Sequence, residues 1–188
     1  HRIYRYRLEG IEFWEYPGEQ FIDWLKMFEG TYNATNFARL EEGKNPIRTI
    51  LSCTPWIVDG RTIGFEIIGE AFLWNQVRRT AMALHRMCIG DLEPNEVLQA
   101  IQHPEIEADF GVAPPDWLIL WGVDWDEVPL PVTKAEQTSF TAPPTGAAVE
   151  RTMRKRWREG ARHELKNLLY QEWAEIGELP IVKHTMKT

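Results

Sequence analysis

The chain has 188 residues and a mass of 22.0 kDa. With 44% hydrophobic and 26% charged residues, nine Trp and eight Phe, it has the apolar surface for one packed domain, or for one half of a two-lobed protein, and disorder is excluded over most of its length. Its net charge of −7 excludes a generic nucleic-acid-binding footprint, and no apolar run approaches the roughly 18–20 residues that span a bilayer.

In chain order, Ile3, Arg5 and Arg7 alternate with Tyr4, Tyr6 and Leu8, which predicts a strand over 2–14 with one aromatic face. Pro17 and Gly18 break it, and Phe21, Ile22, Trp24, Leu25 and Phe28 then recur at the spacing of an amphipathic helix ending near Gly30. The stretch 31–46 reads as irregular. Two β-rich runs, 47–58 and 62–68, flank Asp59-Gly60, a hairpin signal. A helix is predicted over 71–89, with Phe72, Leu73, Gln76, Val77, Ala81, Leu84, Met87 and Cys88 on one face and Gly90 as its stop. Pro94 opens a second helix. A strand follows over 117–125, in which Trp117, Trp121 and Trp125 read as core packing and not as a base-stacking platform. The Pro-rich stretch 126–147 reads as a linker, and proline-free helix formers predict a last helix over 147–176, weakened at Gly160. The fold class expected is α+β: an antiparallel sheet flanked by helices, with a C-terminal helical extension. Three parts are expected: a lobe over 1–128, a linker over 129–147, and a basic helix and tail over 148–188.

Phosphate-loop, dinucleotide-binding, H-E-x-x-H and C-x-x-C motifs are all absent, and the five His are scattered, so no metal site is expected. Cys53 and Cys88 are too few for a disulfide framework, and free thiols in a reducing cytoplasm are the default. The charge is unevenly divided: residues 1–150 hold 12 basic against 23 acidic side chains, and residues 151–188 hold 9 against 5. Arg151, Arg154, Lys155, Arg158 and Arg162 fall on one helical face, a stripe that could track phosphates or be a solvated surface.

One set of blocks is more specific. Arg2-Ile3-Tyr4-Arg5-Tyr6, Gly30-Thr31-Tyr32-Asn33-Ala34-Thr35-Asn36-Phe37, Arg48-Thr49-Ile50, Phe72-Leu73-Trp74-Asn75-Gln76-Val77-Arg78-Arg79 and Ala113-Pro114-Pro115-Asp116-Trp117-Leu118 occur in this order. Together they resemble the tRNA pseudouridine synthase A (TruA) family, archaeal members especially. The resemblance implies one half of a bilobal catalytic fold and isomerisation of uridine to pseudouridine in the tRNA anticodon stem-loop, without cofactor or metal, by a homodimeric cytoplasmic enzyme. The target base must first be flipped from its stack, and an Asp nucleophile is required.

By this resemblance Tyr4 holds the base, Arg78 pairs with the catalytic carboxylate, Leu118 lines the pocket, and Asn36, Phe37 and Gln76 are candidates for substrate contact. A guanidinium beside a pocketed Asp keeps that carboxylate ionised against desolvation. The family's G-R-T-D block has no counterpart, because Gly60-Arg61-Thr62 is followed by Ile63 in the hairpin. The chain is therefore expected to be the C-terminal half of such an enzyme, inactive without the N-terminal lobe that carries the Asp. Asn33, Ala34 and Trp117 stand where the family usually has Asp, Phe and Gly. A noncatalytic tRNA-binding module and a protein-interaction domain are the alternatives. For Asn36, Phe37 and Arg39, covering the core is an equal alternative to substrate contact.

Overall fold

The structure is a computed structural model that describes residues 1–123, 140–144 and 151–178, with side chains through 171. Trp125, most of the Pro-rich stretch and the last ten residues lie outside the described residues. Five strands, β1 (Arg2–Tyr6), β2 (Gly30–Asn33), β3 (Ile47–Val58), β4 (Arg61–Gly69) and β5 (Leu118–Val123), form one antiparallel sheet in the order β2-β3-β4-β1-β5. The helices are α1 (Gln20–Lys26), α2 (Gln76–Cys88), α3 (Pro94–Gln102) and α4 (Arg151–Glu178). The fold class is the expected α+β, and among the described residues no helix is long and apolar enough to cross a membrane.

The hairpin forms where Asp59-Gly60 places it. Both turn residues have positive φ, 51° and 71°, the geometry of a two-residue turn whose twist matches its strands. Helix α3 begins at Pro94 under a reciprocal cap between Glu93 and Glu96. Helices α1 and α2 pack on the sheet over β3 and β1. Phe21, Leu25, Phe28, Val77, Ala81 and Leu84 there meet Tyr6, Ile50, Phe65 and Ile67 in a common core.

Helix α1 ends at Lys26, and Gly30, expected near its end, opens β2; three further differences from expectation have a tertiary reason. The first strand ends at Tyr6 and not near residue 14, because a single 3-10 turn over Leu8–Gly10 tucks Gly10 under the Trp117 ring, where no Cβ fits. The stretch expected to be irregular contains β2, a four-residue edge strand paired to β3. Helix α2 starts five residues late. The preceding backbone bonds elsewhere, with Glu70 N–H donating to the Thr49 carbonyl (3.2 Å) and Arg39 N–H to the Trp74 carbonyl (2.9 Å).

Helix α4 is held to the body by a buried ion cluster. Arg7 is fully buried; its guanidinium meets Glu9 (2.6 Å) and Glu164 of α4 (2.9 Å), and Glu9 also pairs with Arg61. Arg7 further donates to the Ala161 (3.1 Å) and Thr141 (3.2 Å) carbonyls and lies 4.4 Å from the Phe140 ring centroid. Phe140 is buried against Trp56, and Trp157 of α4 stacks on Trp117 (6.5 Å, 15°). Guanidinium and carboxylate satisfy one another here, which is what makes burying their charges tolerable.

Candidate active site

Of the residues that the resemblance singles out, Tyr4 lies on β1, Leu118 lies on β5 opposite Tyr6, and Arg78 lies on α2, which packs against β1. Tyr4 and Tyr6 lie on the same face of the strand, two residues apart. The Tyr4 ring is half-buried, edge-on to Phe72 (5.1 Å, 84°), and its hydroxyl makes no hydrogen bond among the described residues. Tyr6 is buried, pairs across the sheet with Leu118, and donates its hydroxyl to the Pro114 carbonyl (2.7 Å). Burial pushes the Tyr6 phenol well above its usual range, although the nearby Arg78 charge opposes this, so it remains a donor.

Arg78, in the first turns of α2, reaches the same corner. Its Nε donates to the Ala113 carbonyl (2.7 Å), one residue from the carbonyl that Tyr6 holds, and the Ala113 N–H returns a bond to the Arg78 carbonyl (3.1 Å). Its Nη1 donates to Asn75 Oδ1 (2.9 Å). Asn75 can aim that oxygen at Arg78 because its backbone is left-handed (φ 62°, ψ 7°), a conformation Asn adopts more readily than most residues. Both acceptors are neutral, no carboxylate pairs with Arg78, and its Nη2 has no acceptor among the described residues. A guanidinium so oriented, close enough to Tyr6 for its charge to act on that phenol, can receive an anion.

The other candidates are placed differently. Phe37 is fully buried between Phe28 and Phe110, and Asn36 spends its amide on the Ala100 and Ile106 carbonyls (3.0 Å each) and on the Ala108 N–H (3.1 Å). Their side chains build the core and a loop bracket. Gln76 is buried and accepts from the Leu73 N–H (2.9 Å), fixing the entry to α2. Asn33 accepts from the Thr35 N–H (3.0 Å) and hydroxyl (2.6 Å), so an amide oxygen bridges that turn as a carboxylate would.

The basic face of α4 is divided. Arg151 and Lys155 are exposed. Arg158 donates to the Gly10 carbonyl (3.1 Å), Arg162 pairs with Asp116 (3.5 Å) above Trp117, and Arg154 lines a small cleft of about 90 Å³ with Glu9, Glu12 and Glu15. Sequence reasoning missed Tyr6 and Asn75. Tyr6 sits one strand period from Tyr4, and Asn75 stands just before the helix that carries Arg78, so both left a signal. Burial raises the Cys53 and Cys88 thiols well above their ordinary range, which makes neither a ready nucleophile.

A family profile described as tRNA pseudouridine synthase matches residues 25–126. The chain is 39% identical over 131 residues to tRNA pseudouridine synthase A of Thermococcus gammatolerans, covering 68% of this chain and 46% of that protein. The protein of the same name from Methanoculleus marisnigri is 39% identical over 107 residues (56% of this chain, 38% of that one). That of Thermococcus sibiricus is 28% identical over 178 residues, 92% of this chain and 58% of that one. The chain thus spans about half the length of these relatives. The ordered motifs, the α+β sheet and the profile match over more than half the chain agree: it belongs to the tRNA pseudouridine synthase family.

Proposed function

We propose that this chain is the C-terminal lobe of a cytoplasmic tRNA pseudouridine synthase acting on the anticodon stem-loop. The observation that carries the reading is the Arg78 guanidinium, aimed by two neutral acceptors, near Tyr6 and on the helix that packs against the strand of Tyr4. In the reaction, the N1–C1′ bond of uridine breaks, the uracil turns in the pocket, and a C5–C1′ bond forms. The C5 hydrogen leaves as a proton and N1 gains one. Tyr4 stacks on the uracil, Leu118 closes the apolar side, and Arg78 pairs with the nucleophilic Asp, supplied by the N-terminal lobe. No cofactor is required, and the enzyme works as a homodimer.

For the basic helix, Arg151 and Lys155 are assigned to phosphate contact, with Arg154, Arg158 and Arg162 on the side that meets the body. Tritium release from tRNA labelled at uracil C5 tests the reading, because C5 must lose its hydrogen. The full reading frame should release tritium and this chain alone should not. Release by neither would favour the noncatalytic tRNA-binding module, and release by this chain alone would place the nucleophile among its own aspartates.

A further inference from the structure

Trp74 is 53% exposed, yet its backbone is fixed from both sides. Leu73 before it is buried with Ala34 and Ala38, and Asn75 after it holds Arg78. An isolated antiparallel bridge joins Trp74 to Arg39, whose N–H donates to the Trp74 carbonyl (2.9 Å). The Arg39 guanidinium lies over the indole, 4.5 Å from its centroid. Arg39 is exposed, and no carboxylate forms an ion pair with it among the described residues, in a region where acidic side chains outnumber basic ones.

An indole left half in solvent is not filling the core, and a surface cation without a carboxylate partner is not a surface salt bridge. What the pair offers is an indole on a fixed backbone, with a positive charge over one face, half its surface in solvent, and the candidate active site next along the chain. A nucleotide complements both features at once: its base stacks on the aromatic ring and its phosphate meets the cation. We propose that Arg39 and Trp74 form a stacking platform for the base adjacent to the target uridine, holding the RNA strand while the target itself enters the candidate active site. The assignment rests on the function proposed above and adds a substrate contact to it.

The test uses the full reading frame and a short RNA hairpin carrying the target. Trp74→Ala should raise KM for tritium release about ten-fold, with kcat within two-fold and an unchanged melting temperature, and Trp74→Phe should recover most of the loss. Arg39→Ala should lower the slope of log affinity against log salt by about 0.7. On a hairpin made abasic at the neighbouring nucleotide, Trp74→Ala should have no further effect. An unchanged KM, or the same loss on the abasic hairpin, overturns the platform. So does a change in sedimentation with KM unmoved, which would make Trp74 a protein contact. If the wild type releases no tritium from any tRNA, the catalytic reading fails separately. The platform is then decided by 2-aminopurine placed beside the target: quenching on binding that Trp74→Ala removes supports it, and quenching that persists overturns it.

Discussion

Arg7 and Arg78 are both held by several partners, but of opposite kinds. Arg7 is buried between two carboxylates, Glu9 and Glu164, so its charge is spent inside the molecule, clamping α4 to the start of the sheet. Arg78 is oriented by an amide oxygen and a backbone carbonyl, which direct a guanidinium without neutralising it. The contrast separates an arginine neutralised inside the fold from one whose described partners leave its charge uncompensated. Burial does not make that distinction; the charge of the partners does.

Removing the structural arginine should have the largest effect. Arg7→Met leaves Glu9 buried with one cation fewer and should destabilise the fold by about 3–5 kcal/mol in denaturant unfolding, whereas Arg7→Met with Glu9→Leu should recover much of the loss. Next comes the chain path that presents Arg7. Gly64 passes so close to the Tyr6 carbonyl that no Cβ fits, and Gly64→Ala should cost about 1–3 kcal/mol by the same measurement.

At the other arginine the expected loss is in rate. Asn75→Gly removes the Oδ1 acceptor while easing the left-handed backbone, and should lower kcat of the full reading frame about ten-fold without lowering stability. Asn75→Asp sharpens the comparison, because it gives Arg78 a carboxylate partner and converts the open corner into one like that of Arg7. It should lower kcat further than Asn75→Gly despite its near-identical shape.

The smallest effect is a pH dependence. Burial raises the Glu164 carboxyl, but hydrogen bonds from Thr141 and Arg7 outweigh this and hold it below its ordinary range. A folded pKa below the unfolded one gives stability that is full above the unfolded value and is lost as pH falls through the folded one. The melting temperature of the wild type should therefore exceed that of Glu164→Gln at neutral pH, and the difference should shrink on acidification below the ordinary glutamate range. Glu9, which burial pushes upward, shares Arg7 with Glu164, so the difference reports the coupled cluster and not Glu164 alone.

Local signals located the hairpin, α3 and the alternation of β1, because Asp59-Gly60, Pro94 and the Tyr4/Tyr6 period act within a few residues. They failed where distant contacts decide. Strand β2 is four residues long and exists because β3 lies beside it. The end of β1 depends on Trp117, more than a hundred residues away. Arg7 read as one more charged residue on a strand's polar face, and only Phe140, Thr141 and α4 turn that position into an interior.

The site divides in the same way. Tyr4, Arg78 and Leu118 were reachable because their blocks have a family's order, and they lie on β1, on the helix packed against it and on the strand beside it. Asn36 and Phe37 share such a block but serve its packing. Asn75 stands just before the helix that carries Arg78, but the left-handed backbone that aims its oxygen there is set by the surrounding fold.

In the proposed function Arg78 is held for an anion and not for the fold. The most direct test is tritium release by Arg78→Met in the full reading frame, normalised to the fraction folded at the assay temperature. Activity should fall about 100- to 1,000-fold per folded molecule. Release within a few-fold of wild type per folded molecule would contradict this role and make Arg78 another structural arginine.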